Sequence, residues 1–157
     1  MKKLFAVLLL GTALVAPGAA FAAQVSIKGQ MSNYSGPEAY LAVYLTKPDG
    51  NYDSTLYVAG RKTRYYRDLS GWARYAARDA TLNLNGITGA SIGSGQSFTI
   101  NLNLSDALID AGYVVHIDSA VEHRGTASDD VVIPLDTSSS GVAQPGNGFI
   151  RAASVNM

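Results

Sequence analysis

Alternation of apolar and polar residues with a period of two is the feature that most restricts the fold of this chain. Residues 97–104, SFTINLNL, show it most clearly, with apolar side chains on one face (Phe98, Ile100, Leu102, Leu104) and polar side chains on the other (Thr99, Asn101, Asn103). Side chains of a β-strand alternate between its two faces, so this pattern predicts a strand with one buried face.

Six further segments carry extended patterns and are predicted to be strands. They are residues 24–30 (QVSIKGQ), 39–46 (AYLAVYLT), 52–58 (YDSTLYV), 113–122 (YVVHIDSAVE), 130–135 (DVVIPL) and 148–155 (GFIRAASV). In residues 39–46, Leu41, Val43 and Leu45 share one face, while Tyr40, Ala42 and Tyr44 share the other. About eight short strands separated by turn signals predict an all-β fold, an antiparallel immunoglobulin-like β-sandwich.

Turn residues separate these strands. KPDG, residues 47–50, predicts a hairpin, and SDALIDAG, residues 105–112, predicts a short helical turn capped by Ser105. Residues 136–148 are predicted to form a loop. Tyr113 follows a turn, and it fits either the tyrosine corner of an immunoglobulin-like domain or an ordinary half-buried strand position.

The N-terminus predicts export. MKK precedes an apolar run and the small-residue tract AAFAA, with Ala20 and Ala22 in the positions that signal peptidase favours. We therefore expect residues 1–22 to be a cleaved signal peptide, residues 23–157 a single β-sandwich domain, and the periplasm its location. A retained membrane anchor is the alternative, but residues 4–16 are shorter than the roughly 20 residues that span a bilayer, so stable membrane insertion is not expected.

Net charge and cysteine content limit which ligands the protein can bind and how its fold can be stabilised. Without residues 1–22 the chain keeps ten basic and twelve acidic residues, and it has no cysteine. An exported domain with a slightly negative net charge is not expected to bind nucleic acid. Without disulfides it must be held by its apolar core, and we expect it to fold without metal or oxidation.

Basic and aromatic residues are concentrated in residues 61–79, RKTRYYRDLSGWARYAARD. Helical spacing would place four arginines within roughly an 80° arc (Arg64, Arg67, Arg74, Arg78) and apolar residues opposite them (Tyr65, Leu69, Trp72, Ala76). The pattern predicts one short helical insertion packed on the sandwich through Trp72, with Gly71 as a point where it could break. The arginines are either a solvated face or a docking surface for an envelope protein partner or a small anionic ligand.

The order of these segments resembles a known family. YLAVYLTKPDGNYDSTLYVAG, the arginine-rich segment with GWAR, ITGASIGSG, DAGYVVHIDSAVEH and GFIRAASV are similar to the predicted periplasmic proteins of domain of unknown function 2271. The resemblance covers almost the whole exported chain. It implies an exported immunoglobulin-like domain whose relatives often accompany envelope flavin and iron-handling proteins, and it implies no catalytic residues.

Residues 85–91, NGITGAS, are similar to the motif at which a flavin transferase attaches FMN to exported redox proteins through a threonine or serine hydroxyl. Ser91 would be the acceptor, although Asn85 stands where that motif has aspartate. The resemblance implies an electron carrier with covalent FMN at Ser91. The alternative is a glycine-rich turn between strands, without a cofactor.

The two histidines lie in a polar cluster within VHIDSAVEH. His116, Asp118 and Glu122 would share one strand face, with His123 just beyond it. Their nitrogen and oxygen ligands suit a divalent metal, but same-face side chains on one strand are about 7 Å apart, so an outward polar face is the alternative.

Known catalytic motifs are missing from the sequence. There is no cysteine nucleophile, no GxSxG, no HExxH and no P-loop. We therefore expect a non-enzymatic binding or accessory protein of the periplasm, in an envelope redox or metal-handling system. The electron carrier with FMN at Ser91 is the alternative.

Overall fold

Two β-sheets stack face to face in the computed structural model, which describes residues 21–157. The strands of this part of the chain are β1 (Ala22–Met31), β2 (Tyr40–Thr46), β3 (Tyr52–Ala59), β4 (Thr88–Gly89), β5 (Ser97–Ser105), β6 (Val114–Val121), β7 (Gly125–Pro134), β8 (Gln144–Pro145) and β9 (Ile150–Asn156). One sheet has the order β5-β1-β9-β8 and the other the order β4-β3-β2-β6-β7.

Strand pairing is antiparallel throughout this part of the chain, apart from one short parallel ladder. In that ladder Val58 and Ala59 of β3 pair with Thr88 and Gly89 of β4. The prediction of an all-β, antiparallel sandwich with one short helical insertion is confirmed. Tyr113 is half-buried against the main core and lies directly before β6, and its two interpretations stay predictions. The immunoglobulin-like subtype stays a prediction.

The main core lies between the two sheets. Ile27, Val43, Ile117, Ile133 and Val155 are fully shielded from solvent there. The predicted face of β5 is also confirmed, since its apolar residues are buried or half-buried while Thr99, Asn101 and Asn103 are exposed. Burial of apolar area is the main source of stability for a cysteine-free domain.

A second core covers the outer face of the five-stranded sheet. Tyr40, Ala42 and Tyr44 point away from the main core and are nevertheless buried, because residues 60–84 pack over them. The predicted apolar side of the insertion is confirmed, since Tyr65, Leu69, Trp72 and Ala76 all pack in this second core.

The insertion is not one continuous helix. A 3-10 helix spans Thr63–Asp68 and an α-helix, α1, spans Ser70–Ala76. They are separated at Leu69, whose backbone has φ −78° and ψ 69° and whose side chain is fully buried. The predicted helical insertion is confirmed, but its break does not fall at Gly71. The break lies at Leu69, where the chain turns to bury that side chain, and Gly71 lies inside α1.

The loops agree in part with the sequence. The hairpin at residues 47–50 is confirmed, with Gly50 N–H donating to the Lys47 carbonyl at 2.9 Å. Residues 106–108 form one 3-10 turn, but the Ser105 side chain makes no capping bond, so that part of the prediction was wrong. The predicted loop at 136–148 contains a 3-10 turn and β8.

The predicted signal peptide lies outside the described residues, except for its last two positions. None of the helices from residue 21 onwards is long and apolar enough to cross a membrane.

Candidate functional site

A buried carboxylate fastens the insertion to the sheet. Asp118 on β6 has no exposed surface, and its Oδ2 accepts a hydrogen bond from the backbone N–H of Trp72 at 2.7 Å. Its Oδ1 accepts a second bond from the backbone N–H of Asp129 at 2.9 Å. Gly71 allows this approach, because a Cβ at that position would lie 2.5 Å from Asp118 Oδ2. The carboxylate therefore fixes the position of α1 over β6.

Burial has a clear electrostatic consequence for this group. Desolvation raises the pKa of Asp118 above its ordinary value, although the hydrogen bonds from the Asp129 and Trp72 amides act in the opposite direction. Desolvation and the neighbouring charges of Asp118 and Asp129 also raise the pKa of Tyr44, which keeps its hydroxyl protonated. That hydroxyl lies within hydrogen-bonding distance of Asp118 Oδ1 at 3.3 Å and of Asp129 Oδ1 at 3.2 Å.

His116 extends this network toward solvent. Its Nδ1 lies 2.8 Å from Asp129 Oδ1, and its Nε2 lies 2.9 Å from the Thr46 hydroxyl. The imidazole stacks on the Tyr44 ring, with centroids 5.1 Å apart. Both ring nitrogens are therefore engaged, which orients the ring but leaves neither free to bind a further group. Thr46 is buried, so its hydroxyl is not accessible from solvent to a ligand.

The predicted metal cluster is not assembled. In residues 21–157 no three histidine, aspartate or glutamate side chains come close enough to hold a metal ion. Glu122 instead accepts a hydrogen bond from Tyr40 and pairs with Lys62 at 3.7 Å, while His123 is exposed in the turn after β6. The strand and the turn after it spread these side chains apart, and His116, Asp118 and Glu122 each bond to different partners.

Glu122 lies in a locally positive environment. Partial desolvation acts to raise its pKa, but hydrogen bonds from Tyr65 and Tyr40 and the charges of Lys62 and Arg64 outweigh this and hold the pKa below its ordinary value. The carboxylate therefore stays ionised beside the basic segment, where it neutralises part of its charge.

Positive charge is concentrated on the insertion. Residues 61–79 carry six basic and two acidic side chains, whereas the whole chain is neutral. All six basic residues are exposed. Within residues 21–157, Arg74 and Arg78 have no ion-pair partner, and Arg67 has only a 3.9 Å contact with Asp68. This surface is therefore far more cationic than the chain as a whole.

The four predicted arginines do not form one face. Arg67 and Arg74 line the same groove, together with the Ser70 and Ser128 hydroxyls, which lie 2.9 Å apart. Arg64 lies over the Tyr65 ring at 4.9 Å, and Arg78 lines a separate groove beside Tyr75. Arg64 and Arg67 belong to the 3-10 helix, Arg74 to α1 and Arg78 to the turn after it, so the spacing of one continuous helix does not relate the four side chains.

Ser91, the predicted flavin acceptor, lies in a segment that is bound to the sheet. Backbone hydrogen bonds join Gly60 N–H to the Gly89 carbonyl at 2.9 Å and Ala39 N–H to the Ile92 carbonyl at 2.7 Å. The segment is thus part of the sheet edge rather than a free glycine-rich loop. Ser91 itself is half-buried, and within residues 21–157 its hydroxyl makes no hydrogen bond.

The sequence analysis did not identify two carboxylates that hold this region together. Asp129, with φ 52°, positions His116, and buried Asp130 accepts bonds from the Asn147, Gly148 and Ile150 amides, which ties residues 146–150 to β7. The one signal was Asp130 at the start of a predicted strand, because a buried carboxylate requires partners. Their partners are distant in sequence, so the signal could not identify them.

The fold and this surface define an all-β sandwich protein with a cationic helical insertion on one sheet. The chain belongs to the family described as predicted periplasmic protein (DUF2271), whose model matches residues 22–152. This confirms the resemblance found in the sequence and the periplasmic localisation predicted from it. No curated protein and no solved structure matches the chain.

Proposed function

We propose that the protein is a non-enzymatic periplasmic binding module that docks an anionic group, from an envelope partner or a small ligand, between Arg67 and Arg74. The observation that carries the proposal is the groove that these two exposed arginines share with the paired hydroxyls of Ser70 and Ser128. Guanidinium groups present planar donor pairs that match phosphate and carboxylate oxygens, and the hydroxyls add neutral donors beside them.

Rigidity of the scaffold supports this assignment. Arg74 belongs to α1, whose start is held by the buried Asp118, and Ser128 belongs to β7 of the same sheet. A preorganised site loses less conformational entropy when its ligand binds than a flexible loop does. Within residues 21–157, Arg67 makes only a weak ion pair and Arg74 makes none, so an incoming anion has to break few existing contacts.

The test compares two charge-reversal pairs in the protein purified from periplasm. Arg67→Glu with Arg74→Glu alters the groove, whereas Lys28→Glu with Arg151→Glu changes the net charge equally on exposed positions of the other sheet. Inorganic phosphate, pyrophosphate and citrate serve as small probes, and periplasmic extract serves as the source of partners, at low and moderate salt.

We expect the groove pair to lose binding at least tenfold and the control pair to retain it. Wild-type binding should weaken as salt rises, since exposed charges are screened beyond about 8 Å at physiological ionic strength. Equal binding by both variants would refute the proposal. Thermal unfolding of the two variants should differ little from wild type, because surface substitutions usually change stability within about 0.5 kcal/mol.

Placement in an envelope redox or metal-handling system is part of the same proposal and rests on the family resemblance.

Covalent FMN at Ser91 is the alternative function. Its support is the half-buried hydroxyl next to a groove lined by Arg61 and Tyr66, where a phosphate and an aromatic ring could both find partners. The intact mass of protein from its native host separates the two: the mass of the unmodified exported chain refutes the carrier, and a flavin adduct refutes a cofactor-free module.

A further inference from the structure

One of the four sheet edges is unprotected. β4 and β8 are edge strands of two residues each, and β8 contains Pro145. β7 carries the exposed Asp129, a register irregularity against β6 and Pro134 at its end. Short length, charge, irregularity and proline are the means by which proteins prevent edge strands from pairing with another chain.

β5 has none of these features. It is a nine-residue edge strand, SFTINLNLS, without charge, proline or glycine. It pairs with β1 along its whole length without a register shift, from Ala22 opposite Ser105 to Gln30 opposite Ser97. Within residues 21–157 no other strand pairs with it. A regular uncharged edge of this length is a surface for strand addition.

The register shows which backbone groups face outward. Asp106 N–H donates to the Phe21 carbonyl at 3.0 Å, and Met31 N–H donates to the Gln96 carbonyl at 2.8 Å, at the two ends of the β1–β5 ladder. Antiparallel pairs alternate between bonded and non-bonded, so the even-numbered residues of β5 direct their N–H and C=O groups toward β1. The odd-numbered residues from Ser97 to Ser105 therefore direct theirs away from the sheet.

We propose that β5 pairs with β5 of a second copy of this chain, antiparallel and centred on Asn101, which joins two four-stranded sheets into one. In this register Asn101 faces its own copy, Thr99 faces Asn103 and Ser97 faces Ser105. Every pair consists of odd-numbered residues, so all five outward N–H and C=O groups on each strand find partners at once.

Side chains also fit this occupant. The outer face of β5 carries Thr99, Asn101 and Asn103, all exposed and uncharged, so two copies meet without like charges opposite each other. On the inner face, half-buried Leu102 would lie opposite Ile100 of the second copy and lose its remaining contact with water. A strand that is self-complementary in hydrogen bonding, charge and apolar pattern favours its own copy over an unrelated peptide.

The first test measures the molar mass of the exported protein by light scattering across a concentration series. Wild type should reach twice the mass of one chain. Asn101→Pro removes an outward N–H without touching the β1 ladder, and Asn101→Lys places two cations opposite each other; both should remain monomeric. Ser26→Lys, on the neighbouring β1 and directly beside Asn101 in the sheet, is the matched control and should still dimerise.

A second test reads the register in this cysteine-free chain. Asn101→Cys would place two sulfurs on residues whose Cα atoms are about 5.5 Å apart across a bonded pair, within the range of a disulfide, so oxidation should cross-link it. Thr99→Cys would place them about 13 Å apart, four residues out of register, and should not cross-link. A wild type that stays monomeric, a dimer that survives both Asn101 variants, or cross-linking of Thr99→Cys would overturn the proposal.

Discussion

The backbone N–H of Trp72 donates to Asp118 Oδ2 at 2.7 Å, across 46 positions of sequence. This bond joins the start of α1 to β6, which lies next to the central strand β2 of the five-stranded sheet. The indole of the same residue donates to the Thr55 hydroxyl on β3 at 2.7 Å. One residue thus connects the insertion to two strands, and the cationic surface depends on that connection.

Gly71→Ala should destabilise the protein, although alanine is the better helix former by about 1 kcal/mol. The added Cβ would lie 2.5 Å from Asp118 Oδ2, so the carboxylate or α1 must move. We expect a loss of about 1 to 3 kcal/mol in the free energy of unfolding, measured by denaturant titration. Ala73→Gly, in the same helix, should cost about 1 kcal/mol through helix propensity, together with the loss of a half-buried methyl group. A gain in stability for Gly71→Ala would contradict the close packing.

Asp118→Asn should change how stability depends on pH. Burial raises the pKa of Asp118 in the folded state above its ordinary value of 3.8, so the native state binds this proton more tightly than the unfolded state. The stability that the Asp118 proton contributes is therefore fully present below the pKa of the unfolded state, and it is lost as pH rises through the pKa of the folded state. Between pH 7 and pH 4 the wild type should gain stability relative to Asp118→Asn as pH falls.

This comparison removes the effect of other carboxylates. Hydrogen bonds lower the pKa values of three exposed or half-exposed carboxylates, and the donors are Asn51 for Asp49, Thr81 for Asp79 and Ser138 for Asp136. The stability that these carboxylates contribute is lost as pH falls, and it is lost equally in both proteins. Urea melts of both proteins at several pH values measure the difference. A difference in unfolding free energy that does not vary with pH would contradict the raised pKa.

Trp72→Ala should cost about 3 to 5 kcal/mol, because the residue is only 3% exposed and packs in the second core. Trp72→Phe should cost less, since it keeps most of the packing and loses the bond to Thr55. As the sequence contains one tryptophan, its fluorescence reports this site directly. Ready quenching by acrylamide in the folded protein, with a cost below about 1 kcal/mol, would show that the insertion does not pack as described.

Thermal unfolding should be unaffected by chelator or reductant. The sequence has no cysteine, and within residues 21–157 no three metal-ligating side chains come together. A metal that stabilises the fold would make the midpoint fall when it is removed. Matched melts with and without EDTA, and with and without reductant, provide the measurement. A fall of several degrees with EDTA alone would reveal a site that involves His116 or other histidine and carboxylate ligands.

The sequence alone determined the features that depend on local geometry. Period-two alternation assigned the inner face of β5, KPDG gave the hairpin between β2 and β3, and helical spacing identified the side of the insertion that buries Trp72. These patterns are readable because a side chain's direction follows from the backbone dihedrals of its own strand or turn.

Only the tertiary structure decided the role of Asp118, the arrangement of the arginines and the open edge of β5, because these features depend on which distant residues come into contact. Asp118 looked like a metal ligand in sequence, and only its burial beneath Gly71 makes it the anchor of α1. The arginines are divided between the 3-10 helix, α1 and the turn after it, and the groove that Arg67 and Arg74 share spans the break at Leu69. Likewise, β5 became an open edge only through the strand order of its sheet. Such contacts join residues dozens of positions apart, and no local pattern encodes which pairs will form.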